Sequence, residues 1–330
     1  MFSTLRDLDI VRDRILKHPE YSSKLRSELE KAIRIDALGH SIRLEGIGEN
    51  IKSPSSSIEL IKQKRKEYQV AFENAVKAKE YLEKHGINLS TFSCLGNIID
   101  PISNRYSYFR NKEVMFGEFG GVESEKIPYQ LENLIFRIEN ETGLHPLLKA
   151  VDTHIDFVRI HPYFDGNGRI GRILQDYLLW DYEYPLPIIY EGDREFYIDL
   201  MRLTMRDRLR DTSTVFDPSD SEKLLHKFIA SKALDSALEV ERKLKERRNY
   251  KIILENAQDT AICFTIANKI RTQHSKNERN GATVKINRRC PLKKQKELRV
   301  SGDISAKELE LILENFKGQG FKDYNIKAIK

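Results

Sequence analysis

The residues with the clearest chemical potential lie together in the stretch HPYFDGNGRIGR, residues 161–172. Pro162 ends one helical pattern, because proline cannot continue a helix, and the turn formed by Gly166, Asn167 and Gly168 opens the next. The start of a helix exposes unpaired backbone amides and a positive dipole, so this turn predicts an anion pocket. The two glycines leave room for a ligand to approach the backbone closely.

Four side chains complete the chemistry that this pocket predicts. Arg169 and Arg172 are three residues apart, so they share one helical face and supply planar cations suited to phosphates. Asp165 offers a carboxylate of the kind that binds Mg²⁺ together with substrate phosphates. His161 has a side chain that accepts a proton near neutral pH. The set predicts attack by a hydroxyl on a nucleotide phosphate; the alternative is a tight structural loop with Asp165 as helix cap and solvated arginines.

The whole stretch resembles the signature of the Fic family, HPFx(D/E)GNGRxxR, with Tyr163 where phenylalanine is usual. Members of this family usually transfer AMP from ATP to a protein hydroxyl, so the resemblance implies ATP and Mg²⁺ as ligands and a protein as substrate. It covers roughly residues 100–210 and implies that His161 is the general base and Asp165 the Mg²⁺ ligand. The phosphate contacts that it implies are Gly166, Asn167, Gly168, Arg169 and Arg172.

The resemblance also implies roles for three further segments. The region 104–128 resembles the family's flap, which aligns a target segment by main-chain pairing. Phe196 and Tyr197 fall where the family often places adenine-pocket residues, and core packing is the alternative for this pair. SIRLEG, with Ser41, Glu45 and Gly46, is similar to the inhibitory pattern (S/T)xxxE(G/N) of one subgroup. There Glu45 is expected to pair with Arg172 in the place of the γ-phosphate; the alternative is an ordinary exposed glutamate.

The favoured function is therefore an autoinhibited protein adenylyltransferase. Removal of AMP from a target, with Glu45 positioning water, is a nearby alternative, as is transfer of another nucleotide or phosphate-linked group. A function of another class is a nucleic-acid-binding regulator, because residues 241–330 hold 22 Lys and Arg against 11 Asp and Glu. Self-association as a homo-oligomer is left open, since it is common among relatives.

The elements that must position these residues are mostly helical. Apolar residues at helical spacing predict a fold of helices with a hairpin flap and a small C-terminal α/β region, whose strands flank one amphipathic helix. The first helical pattern, 3–37, is expected to end at Gly39. The later helices are predicted at 58–85, 88–99, 128–141, 144–160, 167–181, 192–209 and 218–248. The expected division is 1–99 with the inhibitory segment at about 39–48, 100–248 for the Fic core, and 249–330 for a basic accessory domain.

Composition excludes several other classes of protein. The 330 residues are 40% hydrophobic and 32% charged, which is typical of a globular chain with a sizeable core. No apolar run is long enough to cross a membrane, and the N-terminus lacks the layout of a signal peptide. Cys94, Cys263 and Cys290 form no disulfide or zinc pattern, which favours a reducing, cytoplasmic setting. A metal cluster of His145, His154 and His161 is disfavoured by the spacing of these residues.

Overall fold

The computed structural model describes residues 2–18, 23–47, 58–105, 108–210, 212–246, 248–255, 257, 261–275, 283–287, 295–302, 304, 306–319 and 321–329. The chain divides into two compact units, one of Met1–Leu16 with Glu30–Leu238 and one of Lys17–Leu29 with Glu239–Lys330. The predicted three-way division into domains stays a prediction. Among the described residues, no helix has both the length and the apolar character to cross a bilayer.

The predicted mostly helical fold is confirmed. The helices before the hairpin are α1 (Phe2–Leu16), α2 (Ser23–Leu44), α3 (Ile58–His85) and α4 (Leu89–Ile99). The hairpin pairs β1 (Met115–Phe116) with β2 (Phe119–Gly120), which is shorter than the predicted flap. The later helices are α5 (Ile127–Asn140), α6 (Pro146–Ile160), α7 (Asn167–Asp181), α8 (Arg194–Leu209) and α9 (Asp220–Glu246).

The core of the first unit lies around α6 and α7, which pack against each other on either side of the motif loop. Phe157 of α6 and Ile170 of α7 are fully buried there with Phe92 of α4. Tyr163, the departure from the Fic signature, is also buried, and its added hydroxyl donates a hydrogen bond to the carbonyl of Phe92. The loop that carries the motif is therefore anchored in the core at its aromatic residue.

One predicted helix end is wrong. Helix α2 does not stop at Gly39 but continues to Leu44. A Cβ at Gly39 would lie 2.9 Å from the hydroxyl of Tyr68 on α3, and that hydroxyl donates a 3.4 Å hydrogen bond to the Gly39 carbonyl. Glycine is thus used for close packing of two helices rather than to end one. The SIRLEG segment consequently forms the last turn of α2 and the turn after it.

The second unit is built on an antiparallel sheet with two helices. Its elements are β3 (Arg248–Glu255), α10 (Ala261–Ser275), β4 (Thr283–Asn287), β5 (Gln295–Gly302), α11 (Ala306–Glu314) and β6 (Asp323–Ile329). The strand order is β4-β5-β3-β6, and every neighbouring pair is antiparallel. The predicted strand, helix and strand at the C-terminus are confirmed, whereas β3 and α10 were not predicted. Cys263 is buried in this unit's core; Cys290 lies outside the described residues.

Candidate active site

The motif loop holds its shape through Gly166 and Asn167. Gly166 precedes α7 with a φ of 89°, in the left-handed region, and a Cβ there would collide with Ile99. The side chain of Asn167 accepts a hydrogen bond from the amide of Tyr163 at 3.0 Å and donates one to its carbonyl at 2.8 Å. Asn167 therefore braces the loop from within. The first turn of α7 then presents its backbone amides, which have no partner inside the helix, at the loop surface.

Arg169 is buried within this loop rather than solvated. Its guanidinium donates to Asp165 Oδ1 at 3.2 Å and lies 3.7 Å from Asp100 Oδ2. Its Nε is buried without a hydrogen-bond partner among the described residues. Asp165 is not a helix cap, since its Oδ1 accepts from the amide of the next residue, Gly166, at 2.5 Å. The alternative of a capped loop with solvated arginines is therefore wrong.

Arg172 is held by the SIRLEG segment, residues 41–46. Its Nε donates to Ser41 Oγ at 2.7 Å, and its Nη2 donates to the Ser41 carbonyl at 3.0 Å and to Glu45 Oε1. Burial opposes the charge of Glu45, but the attraction of Arg172 prevails and holds the pKa of that carboxyl below its usual range. The same carboxylate raises the pKa of Arg172. Glu45 is therefore ionised and paired at neutral pH.

Glu45 also lies against the start of α7. A Cβ at Gly168 would be only 2.6 Å from Glu45 Oε1, so the bare backbone of Gly168 admits the carboxylate. The carboxylate thus lies where the predicted anion pocket exposes amides and a cation. It is 37% exposed and forms part of the wall of a cleft of about 760 Å³, which Asp165 and Arg169 also line. Gly46, with φ 76°, turns the chain away after this contact.

His161 ends α6 in a left-handed conformation, with φ 52°. Its Nδ1 lies 3.2 Å from the carbonyl oxygen of Val158, and because a carbonyl only accepts, Nδ1 carries the proton. The unprotonated nitrogen is therefore Nε2. Burial, assisted by the charge of Arg110, lowers the pKa of His161 to about 4. The imidazole is neutral and able to act as a base across the physiological range.

Two residues of the flap region fix this histidine, and neither was singled out from the sequence. Arg110 is buried, and it donates to the carbonyls of His161 at 2.7 Å, Lys112 at 2.8 Å and Val122. Phe116 stacks on the imidazole with ring centroids 4.1 Å apart and an angle of 2° between the planes. In a chain with 56 Lys and Arg and 15 Phe, nothing in the sequence distinguishes these two.

The carboxylate predicted to hold Mg²⁺ has a suitable neighbour. Asp165 is 57% exposed at the cleft, and its side chain is in hydrogen-bond contact with that of Asp100. Oxygen ligands from one or two carboxylates, completed by phosphates, suit Mg²⁺. Asn104 braces this edge, since its side chain donates to the Asp165 carbonyl at 3.0 Å and accepts from the Phe164 amide at 3.0 Å. The donor set therefore fits the ion.

The two residues predicted near the adenine, Phe196 and Tyr197, differ in their burial. Tyr197 is buried beside His154, its hydroxyl 3.3 Å from Nε2, whereas Phe196 is 55% exposed against Phe228. Core packing accounts for Tyr197, and an adenine contact of either residue stays a prediction. His154 is buried against Gln175, and His145 lies apart with Asp9. No group of three or more metal-binding side chains occurs among the described residues.

The site thus combines a neutral histidine with a helix start of the kind that can bind anions. The Fic/DOC family model matches residues 93–179, so the chain contains a Fic/DOC domain. A Fido domain-containing protein of Dictyostelium discoideum is 48% identical over 59 residues, 17% of this chain and 41% of its own. The protein adenylyltransferase Fic of Drosophila willistoni is 34% identical over 118 residues, 34% of this chain and 22% of its own.

Solved structures show the same fold at low identity. A Fic domain-containing signaling protein from Bacteroides thetaiotaomicron has a TM-score of 0.57 and 18% identity, over 73% of this chain and 98% of that one. A Fic family protein from Desulfovibrio desulfuricans has a TM-score of 0.52 and 16% identity, over 90% and 95% of the two chains. By contrast, the two curated relatives are matched over less than half of their own lengths.

Proposed function

We propose that this chain transfers AMP from ATP to a hydroxyl of another protein, and that Glu45 restrains the reaction. The relatives named protein adenylyltransferase support the transfer. The restraint is supported by one observation: Glu45 and Ser41 accept hydrogen bonds from Arg172, the residue predicted to contact the γ-phosphate. A carboxylate and a phosphate compete for the same guanidinium, so ATP binds productively only when Glu45 moves.

The residues have distinct roles in the proposed reaction. Nε2 of His161 takes the proton of the target hydroxyl, whose oxygen then attacks the α-phosphorus. The bond from that phosphorus to the bridging oxygen breaks, and pyrophosphate leaves with the negative charge. The amides at the start of α7, together with Arg169 and Arg172, hold the phosphates while charge shifts between them. Mg²⁺, held with the nucleotide by Asp165, would neutralise phosphate charge.

The target protein is proposed to lie along the flap. β1 and β2 are two residues each, so a target segment that pairs with them extends a very short sheet. Phe116 of β1 is also the residue on the His161 ring, so a segment bound at this strand places its hydroxyl next to the base.

Incubation with α-labelled ATP and Mg²⁺ tests the proposal. Wild type is expected to label itself weakly, Glu45→Gly at least about tenfold more, and His161→Ala not at all, since about 1.4 kcal/mol of lost ion pairing corresponds to a factor of ten. Glu67→Gln is the matched control, because Glu67 lines the same cleft and its carboxylate accepts from Gln63. Equal labelling of Glu45→Gly and wild type rejects the restraint, and labelling by His161→Ala rejects the base.

Removal of AMP is the second candidate, favoured by the position of Glu45. Its partly exposed carboxylate lies between Gly168 and Arg172 and acts electrostatically on His161, where it can orient a water molecule. A modified partner that loses AMP with wild type but not with Glu45→Gln or Glu45→Gly would establish this direction.

A further inference from the structure

The sheet of the second unit has one face covered by helices. In that face Ile252, Leu298 and Ile326 lie side by side across three strands and pack into the core with residues of α10 and α11. Successive side chains of a strand point to opposite faces, so the residues just before or after these lie on the other face. That other face carries the charge.

Four basic residues form one row straight across this open face. The register pairs Lys285 of β4 with Arg299 of β5, Arg299 with Lys251 of β3, and Lys251 with Lys327 of β6. Strands lie about 4.8 Å apart, so the row spans about 14 Å. The side chain of Arg299 is 60% exposed, that of Lys251 is 34% exposed, and Lys285 and Lys327 are exposed. The residues are far apart in sequence, and only the register aligns them.

Such a row is unfavourable for the sheet alone, because like charges directly opposite each other on neighbouring strands repel. Glu297 offsets part of it, with ion pairs of 2.9 Å to both Lys251 and Arg299. The two outer cations, Lys285 and Lys327, are not part of this group. A bound chain of negative charges would stabilise the whole row.

We infer that the row Lys285–Arg299–Lys251–Lys327 binds single-stranded nucleic acid through successive backbone phosphates, with the nucleic-acid strand crossing the β-strands. Contacts to phosphates give binding that depends on salt and little on sequence. A protein partner fits poorly, since interfaces rely on aromatic and apolar anchors. Among open-face residues whose side chains are described, Ile253 alone is apolar.

Acidic residues further along the strands favour a single strand over a duplex. Glu255 and Asp323 face each other across β3 and β6, four residues from the cationic row and so about 14 Å away. A duplex lying along the row would bring its second strand, across a groove of about 12 Å, towards these carboxylates. Repulsion there disfavours the duplex, whereas a single strand at the cationic row stays about 14 Å from Glu255 and Asp323.

Fluorescence polarisation with the full chain tests the inference, which does not rest on AMP transfer. The probe is a labelled single-stranded oligonucleotide of mixed sequence, about 20 nucleotides long, titrated between about 50 and 200 mM salt. Lys285→Gln/Lys327→Gln removes two row cations that do not hold Glu297. Lys307→Gln/Lys322→Gln removes the same charge from exposed positions outside the row and is the control.

The expected result is a lower salt dependence for the row variant alone. Two lost phosphate contacts reduce the slope of log K against log salt by about 1.4, so over this range the row variant loses about sevenfold less affinity than wild type. An unchanged slope, an equal change in the control, or no wild-type binding at the lower salt overturns the inference. Tighter binding to the duplex, or to phosphatidylserine vesicles, also overturns it.

Discussion

The two ring nitrogens of His161 have different surroundings, and this difference leaves Nε2 without a proton. Nδ1 is fixed by the carbonyl of Val158, while Phe116 covers one face of the ring and leaves its edge open. A proton added to Nε2 would create a charge in a site that burial has already desolvated, near the guanidinium of Arg110. The lowered pKa of His161 therefore follows from its position between α6 and the flap.

Replacement of Phe116 should raise the pKa of His161. Phe116→Ala admits water to the imidazole, which favours its charged form, so we expect the pKa to rise by about one unit from about 4. The titration of the His161 ring protons, followed by NMR, measures it. Since His161 gains protons as pH falls, kcat/KM of Glu45→Gly should stay level down to about pH 5, and with Phe116→Ala added it should begin to fall about one unit higher.

Phe119→Ala is the matched control for this prediction. Phe119 lies in β2 with its ring centroid 6.0 Å from that of Phe116, and its loss removes the same volume from the flap. The His161 stacking contact belongs to Phe116, so the control should leave the pKa of His161 within a few tenths of wild type. Equal shifts in the two variants would instead point to general loosening of the flap.

At the scale of elements, a buried network joins three helices, α5, α8 and α9, to α6. Arg208 of α8 donates to Glu222 of α9 through both Nε and Nη2, and to Asp152 of α6 at 2.6 Å. Arg137 of α5 reaches Asp152 and Asp156 from the other side. Arg208 offsets the burial of Glu222 and lowers the pKa of that carboxyl. The network holds α6, whose end carries His161, against its neighbours.

Loss of Arg208 should therefore destabilise the fold strongly. Arg208→Ala leaves Glu222, whose side chain is 0% exposed, without its bidentate partner, and breaking a buried pair costs about 3–5 kcal/mol. Urea unfolding measures the loss. Arg202→Ala is the control on the same helix: its side chain is 55% exposed and lies 3.9 Å from Glu118, so we expect about 0.5 kcal/mol or less. Similar losses for both would contradict the role of the network.

The elements predictable from sequence are those with local signals. The predicted helix 167–181 coincides with α7, and the helix predicted at 88–99 is α4, which Asn88 caps by accepting a hydrogen bond from the Thr91 amide at 2.8 Å. β3 was missed because residues 241–250, which span the end of α9 and the start of β3, contain no glycine or proline to end the helix. Pairing of β3 with β5 and β6 is non-local, and non-local contacts leave little local trace in sequence.

Some residues of the candidate site could likewise be predicted from sequence, and others could not. The residues of the motif are adjacent in sequence, and SIRLEG follows a recognisable pattern, so both could be found before the structure. Arg110 and Phe116 act through the fold: one lies behind the His161 backbone and the other on its ring. Neither residue type is unusual in the sequence, and only tertiary packing brings the two side chains to His161.

At the scale of the whole molecule, the competition between Glu45 and phosphate should appear in thermal stability. A ligand that binds only the folded state stabilises it by RT ln(1 + [L]/Kd). Wild type must break the Glu45–Arg172 pair to bind ATP, so we take its Kd for ATP to be about tenfold or more higher than that of Glu45→Gly. ATP at ten times the Kd of Glu45→Gly then stabilises that variant by about 1.4 kcal/mol and wild type by about 0.4 kcal/mol or less.

The measurement is the shift in Tm on adding ATP and Mg²⁺, each protein being compared with its own nucleotide-free value. A domain of about 200 residues shifts by about 2–4 °C per kcal/mol, so we expect about 3–6 °C for Glu45→Gly and less than about 2 °C for wild type. His161→Ala added to Glu45→Gly should keep the larger shift, because His161 moves a proton rather than holding phosphates. Equal shifts for wild type and Glu45→Gly would show that Glu45 does not compete with the nucleotide, whatever its effect on the rate.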